Sequence, residues 1–417
     1  MNKILSDLRI VEVPAFVAAP LGGMTLAQLG AEVIRIDPIG GGIDRTRWPI
    51  TKDGHSLYLA SLNKAKKSVC LALDKPEGRE LAVALITAPG AGGGILSTNL
   101  GGRWMDYDAL AARRADLIML RLTGNADGSH ALDYTVNCAS GFPSATGRGS
   151  EPVNHVLPAW DVAAGLYLAT GLLAAERRRT RTGKGEQVTL ALSDVMLATV
   201  GNLGYLAEVE INGVQREPIG NDVYGAFGRD FPTRDGRRVM VVAITTRQFK
   251  ALSEATGLSE RVAMIGPMMQ VDMDDEGGRF LARDAIAAVL APWFAARSLA
   301  EIKPVLDRGG VLWGPYQDFR QLLAEDPRCS LANPLFQQVE HPEIGRHLMP
   351  GSPLTFGGGP RQTVVPAPVL GQHTNEVLAG VLGLSAGELQ GLSKHGVIGL
   401  SEPSLAAGGG GQGGGRA

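Results

Sequence analysis

The sequence predicts an α/β protein whose central sheet is doubly wound and largely parallel. The first half alternates short β-branched runs with helix-period patterns, the arrangement of parallel strands joined by crossover helices. The chain has 417 residues, 44% of them apolar, which is enough for a large core and for two or three domains. Apolar residues are spread evenly to about Pro403, so extended disorder is excluded before that point.

In chain order, Leu8 to Val13 reads as a strand, Leu21 to Leu29 as a helix and Glu32 to Ile36 as a strand. Ser68 to Leu73 is a strand, Pro76 to Ile86 a helix with proline in its first turn, and Gly94 to Thr98 a strand. Tyr107 to Arg113 is a short helix and Leu117 to Leu122 a strand, with Gly90 to Gly94 expected as a flexible connection. A long helix follows from Asp161 to about Arg179, then a turn at Thr182-Gly183-Lys184-Gly185, a strand at Gln187 to Leu192 and a helix from Asp194 to Val209. Tyr224 to Thr233 and Val239 to Ile244 read as a hairpin around Asp235-Gly236, followed by helices to about Asp307. Extended, proline-rich pieces run to Pro368, and helices at Thr374 to Leu382 and Ala386 to Leu392 close the pattern. The domains expected are a large one beginning at 1–210, a smaller α+β one at 221–310, a linker and return to the large domain at 311–400, and a disordered glycine-rich tail at 401–417.

Charge and cysteine usage exclude several functions. Forty Lys and Arg balance 42 Asp and Glu, a net charge of -2, so nothing draws the chain to nucleic acid or an anionic membrane. Cys70, Cys138 and Cys329 lie far apart, which excludes a disulfide framework and a zinc knuckle and suggests a reducing, cytoplasmic setting. The seven histidines show no metal-ligand spacing; His341 and His347 are six apart in a proline-broken segment. The run Arg177-Arg178-Arg179 ends a helix between Glu176 and Glu186, where cations meet the helix dipole, and reads as structural rather than as a nucleic-acid patch.

In an open parallel sheet, ligands bind beyond the carboxyl ends of the strands. Here those ends are Ala15 to Ala19, Asp37, Leu73 to Asp74, Asn99 to Gly101 and Thr123 to Ala126. None carries a GxGxxG, a GxxxxGK[ST] or a GxSxG pattern, which removes the usual support for dehydrogenase, P-loop and serine-hydrolase chemistry. Asp161 stands in the first turn of the long apolar helix. Local sequence allows two readings of it: an ordinary helix-capping aspartate, or a carboxylate kept ionised by the dipole and free amides and able to attack an acyl carbon.

The wider pattern favours the second reading. Leu8 to Asp37, Asn63 to Gly78, the segment His155 to Asp161, Glu176 to Leu192, Tyr224 to Leu258 and Leu370 to Ile398 together resemble the family III CoA transferases, in order, over about 400 residues. The resemblance implies a large Rossmann-like domain built from both chain ends, an inserted smaller α+β domain and an interlocked homodimer. It implies that Asp161 is the nucleophile, forming acyl-aspartyl anhydride and aspartyl-CoA intermediates, and that the CoA moiety of the substrate is the only cofactor. CoA contacts carry over to Val17 and Ala18, to Leu71, Ala72, Leu73 and Asp74 at the adenine end, to Asn99, Leu100 and Arg103, and to Thr123, Gly124, Asn125 and Ala126.

Departures narrow the reading. Asp37-Pro38 lacks the basic residue common after the second strand, leaving Arg103, Arg45 or Lys64 to meet a phosphate. Where racemases of the family place a base histidine, this chain reads Ala131-Leu132-Asp133, and no glycine run follows Asn221. Phe16 to Gly30, Asp37 to Asp44, Asp133 to Asn137, Asn154 to Asp161 and Tyr224 to Asp230 are similar to the family's intramolecular transferases, which move CoA between the two carboxyl groups of mesaconate in a 3-hydroxypropionate route of carbon fixation. The implied partner is the CoA thioester of a branched unsaturated dicarboxylic acid, and Arg45, Arg47 and Lys64 are the candidates for its free carboxylate. An intermolecular CoA transferase and a non-catalytic CoA-binding protein remain the alternatives.

Overall fold

Seven strands form one sheet in the computed structural model, which describes residues 4–357 and 361–401. They are β1 (Arg9–Val13), β2 (Glu32–Pro38), β3 (Lys67–Leu71), β4 (Ile95–Thr98), β5 (Ile118–Thr123), β6 (Glu186–Ala191) and β7 (Ile398–Gly399), in the order β7-β3-β2-β1-β4-β5-β6. Every pairing is parallel except that of β7, which runs antiparallel to β3 with Ile398 opposite Leu71. The expected α/β sheet is present.

Both faces of a parallel sheet are covered, so its strands are apolar on alternate residues in both directions. Val11, Ile34, Leu96 and Met119 point to one face, against the helices α3 (Pro76–Thr87), α4 (Tyr107–Arg113), α8 (Thr374–Leu382) and α9 (Ala386–Lys394). Ile10, Val33, Ile95 and Ile118 point to the other, against α1 (Ala18–Ala27) and α6 (Ala159–Thr182). Each fully buried Ile or Leu contributes about 2 kcal/mol. The remaining helices of this half are α2 (Leu57–Leu62), α5 (Asp133–Cys138) and α7 (Leu192–Asn202).

Glycine decides how closely α1 and α6 cross. A Cβ on Gly22 would lie 2.9 Å from the Gly165 carbonyl oxygen, and one on Gly165 would lie 2.8 Å from that of Ala18. The bare backbones therefore touch, which holds the start of α6 over the end of β1. A glycine also changes the reading of 90–94. A Cβ on Gly92 would fall 1.6 Å from the Asp7 carbonyl oxygen, Arg114 donates to Gly90 at 2.7 Å and Arg179 to Gly93 at 2.7 Å. The segment expected to be a flexible connection is a packed, clamped turn. Arg179 is buried there and Arg178 pairs with Glu186, so the basic run has the structural role expected.

Contacts divide the chain into two units, taken over the described residues. The larger comprises Met1–Ser140, Val156–Ala207 and Pro327–Ala417, and the smaller Gly141–His155 and Glu208–Asp326. In the smaller, the hairpin Phe227–Pro232 and Arg238–Ala243 gains a third antiparallel strand, Leu312–Pro315, over a core that includes Phe227, Phe231, Leu290 and Phe294. Residues 311–326, expected as linker, therefore belong to this unit, because Trp313 pairs with Val241. The segment 141–155 joins it too, through Gly147 opposite Gly220.

Two further expectations change. The helix from Asp194 to Val209 is two helices, Leu192–Asn202 and Tyr205–Asn212, separated at Gly204, whose φ of +82° is left-handed. Within the stretch read as extended, Phe336–His341 and Gly345–Pro350 form an antiparallel hairpin. The tail at 401–417 lies, apart from Ser401, outside the described residues. Among those residues, no helix is long and apolar enough to cross a membrane.

Candidate active site

Strand order reverses between β1 and β4, the place where an open α/β sheet leaves a crevice. The loops after these strands are fastened together: the Ala15 amide donates to Asn99 Oδ1 at 2.8 Å, and Asn99 Nδ2 donates to the Ala15 carbonyl at 2.8 Å. The next residue, Phe16, has a φ of +63°, and its amide donates to Asp44 Oδ2 at 3.2 Å. Above these strand ends lies a cavity of about 430 Å³, walled by the loops after β1, β4 and β5 together with Arg47, Tyr58, Pro158, Asp161 and Leu192.

Asp161 enters this cavity from the first turn of α6. Its environment differs from the one expected. The amides of Trp160 and Asp161 are taken by Asp133 Oδ2, at 2.7 and 3.0 Å, so Asp133 caps the helix and Asp161 does not. Burial, and then the like charge of Asp133, push the Asp161 carboxyl up to about 7, against the opposing pull of Arg47. The helix terminus does not hold Asp161 ionised. A carboxylate raised in this way is a stronger nucleophile than one stabilised by amides, and it titrates in the neutral range.

The structure sorts the remaining candidates. Val17, Ala18, Asn99, Leu100, Thr123 and Gly124 line the Asp161 cavity. Arg103 lines an adjoining cavity of about 390 Å³ that shares Leu100 and Arg121 with the first. Asn125 and Ala126 are not wall residues; Asn125 closes its own turn by donating from its amide to the Ser129 carbonyl at 3.1 Å. Leu71 to Asp74 are not part of this cavity either: Leu71 and Ala72 are buried, and the Ala72 amide donates to Val397 at 2.9 Å.

Of the three carboxylate candidates, only Arg47 reaches Asp161's cavity. Arg45 lines a separate cavity of about 220 Å³ and donates to the Gly40 carbonyl at 3.0 Å. Lys64 is buried, and its Nζ donates to the Pro350 carbonyl at 2.6 Å, so it is withdrawn as a ligand. Its side chain closes the return of the chain end onto the sheet. His130, just before the Ala131-Leu132-Asp133 run, is also a wall residue.

Sequence reasoning missed a buried polar cluster beneath the site. Arg35 donates to Asp37 at 2.9 Å, to Asn63 at 3.1 Å and to Asp44 at 3.2 Å, and Lys66 donates to Glu12, to the Pro20 carbonyl at 2.9 Å and to Asn63 at 2.8 Å. Asp37 is thus committed to Arg35. The signal was available: Glu12 and Arg35 stand inside apolar runs of strands that a parallel sheet buries on both faces, so each needs a buried partner.

Similarity to known proteins agrees with this geometry. Residues 5–374 match the model of CoA-transferase family III. The chain is 54% identical to the 2-methylfumaryl-CoA isomerase of Chloroflexus aurantiacus, over 95% of this chain and 98% of that one. It is 27% identical to a formyl-CoA:oxalate CoA-transferase of Rhodopseudomonas palustris, over 92% and 95%. The crystal structure of a CAIB/BAIF family protein from Brucella suis superposes with a TM-score of 0.74 at 23% identity, covering 91% of this chain and all of that one. The order of the strands, the strand-end cavity and the match over most of its length make this chain a member of CoA-transferase family III.

Proposed function

We propose that the protein is an isomerase that moves CoA from carbon 1 to carbon 4 of mesaconate, converting 2-methylfumaryl-CoA to 3-methylfumaryl-CoA through a covalent intermediate on Asp161. The observation that carries this reading is one cavity holding both a carboxylate raised to about 7 and the cation Arg47. The 54% identical relative bears the isomerase name.

The steps balance without metal, oxidant or external acceptor. Ionised Asp161 attacks the carbon 1 thioester carbonyl, and CoA thiolate leaves to give a mixed anhydride. Thiolate then attacks the aspartyl carbonyl, giving aspartyl-CoA and mesaconate dianion. After mesaconate turns, its carbon 4 carboxylate attacks aspartyl-CoA and expels thiolate, which adds to the new acyl carbon and restores the Asp161 carboxylate. Arg47 pairs with whichever substrate carboxylate is not reacting. Val17, Ala18, Asn99, Leu100, Thr123 and Gly124 contact the thioester end of CoA, Arg103 a phosphate, and Leu73 and Asp74 with Asn125 and Ala126 the more distant parts, while the buried Leu71 and Ala72 are withdrawn as contacts.

Retention of mesaconate gives the second attack a high effective concentration. Mesaconyl-CoA labelled in its acyl part and mixed with excess unlabelled mesaconate is therefore expected to yield the 4-CoA isomer with its label undiluted. Diluted label, or CoA appearing on added succinate at a comparable rate, assigns the protein to the intermolecular transferases instead.

The assembly we propose is an interlocked homodimer. Leu166, Tyr167, Leu197 and Leu206 are each half exposed, an apolar area suited to coverage by a second chain. Linked chains cannot separate without local unfolding, so native mass measurement is expected to show dimer at any dilution; reversible monomer formation would exclude interlocking.

A further inference from the structure

Phe16 sits where a glycine is the cheaper residue. Its φ of +63° is left-handed, a conformation that side chains other than glycine, asparagine and aspartate seldom adopt. The backbone is held there by the Phe16 amide hydrogen bond to Asp44 Oδ2 at 3.2 Å, and Asp44 is itself buried against Arg35. Strain that the surroundings enforce at a ligand cavity directs attention to the side chain it delivers.

That side chain meets Arg47. The Arg47 guanidinium lies 5.4 Å from the centre of the Phe16 ring and 5.3 Å from that of Tyr58, both within cation–π range. The Arg47 backbone is tied at both ends, its amide to the Asp44 carbonyl at 3.2 Å and its carbonyl to the Ser56 hydroxyl at 2.6 Å. Phe16, Arg47, Tyr58 and Asp161 all face the same cavity. An arginine side chain has many rotamers; two aromatic faces, with a hydrogen bond to the Tyr58 hydroxyl, restrict it and leave its other donors for a carboxylate.

We propose that Phe16 is a positioning residue: with Tyr58 it forms an aromatic clamp that aims Arg47 at the non-reacting carboxylate, and so selects acyl-CoA substrates that carry a second carboxylate. This rests on the functional reading above. It also gives Asp44 an indirect role, since the Arg35–Asp44 pair fixes the backbone from which the ring projects.

The test uses Phe16→Gly, Phe16→Leu and Phe16→Tyr in the full-length protein. Phe16→Gly relieves the left-handed strain, so it is expected to fold, yet to lose about 10-fold or more in kcat/KM on mesaconyl-CoA, mostly through KM. Phe16→Tyr keeps the ring and is expected within about threefold of wild type. The acid limb of the Phe16→Gly pH profile moves upward, because a misdirected Arg47 no longer favours ionised Asp161. If Phe16 acts through Arg47, Phe16→Leu costs little more in an Arg47→Met background than Arg47→Met alone. Independent, additive losses, an unchanged acid limb in Phe16→Gly, or wild-type kinetics in either Phe16→Gly or Arg47→Met would overturn the clamp. None of these results bears on whether Asp161 is the covalent carrier, which Asp161→Ala tests by itself.

Discussion

Asp161→Ala is expected to lower kcat by about 10⁴-fold or more, the scale of removing a covalent nucleophile. Alanine is preferred to asparagine, which can regain the carboxylate by deamidation. The wild-type profile of kcat/KM should fall on the acid side with an apparent pKa near the 7 of Asp161, because only the ionised carboxylate attacks. The sign for stability is opposite. Burial raises this pKa above its unfolded value, so the stabilising contribution is present at low pH and is lost as pH rises through about 7. At pH 8 the alanine variant should therefore be no less thermally stable than wild type. Activity within tenfold of wild type would remove Asp161 as the carrier, and an acid limb near 4 would show that its environment is not the one described.

Lys66→Met should be the most destabilising of the substitutions considered, at about 3–5 kcal/mol, the usual cost of leaving one partner of a buried ion pair alone. The side chains of Glu12 and Lys66 are each 0% exposed. Burial moves both toward neutrality, lifting the Glu12 carboxyl and lowering Lys66 to about 8, while their mutual attraction opposes it. The pair is closely walled, for a Cβ on Gly23 of α1 would fall 1.9 Å from Glu12 Oε2, and Arg35 would remain as the other cation acting on Glu12. Replacing both partners, Glu12→Leu with Lys66→Met, should recover most of the loss. In Lys66→Met alone, Glu12 keeps a raised pKa, so the deficit shrinks below the unfolded carboxylate range and grows as pH rises. Denaturation measured at pH 5 and pH 8 checks both statements; equal stability of Lys66→Met and wild type at both would show the pair to be energetically neutral.

These two predictions concern residues of different legibility. The strands from β1 to β5 and the body of α6, read as Asp161 to about Arg179 and found at Ala159–Thr182, were readable because each depends on local rules, residue-by-residue alternation and helical periodicity; the role proposed for Asp161 came from the order of segments along the whole chain. The strand-end loops were readable too, since parallel strands place their ligand at one end whatever the side chains are. By itself, then, the sequence determined the sheet, the position of the site along the chain and the nucleophile proposed for it.

The tertiary structure decided which charges face that site. Arg45, Arg47 and Lys64 are near one another in sequence and chemically alike, yet Lys64 closes onto Pro350, 286 positions away, while Arg47 turns to Asp161. Asp133 lies 28 positions from Asp161 and takes the amides that a local reading gave to Asp161 itself. The pairing of Leu312–Pro315 with Val239 to Val242 moved a boundary for the same reason. Helix and strand signals decay within a few residues, whereas burial, ion pairing and the shift of a pKa depend on groups brought together only when the chain closes on itself.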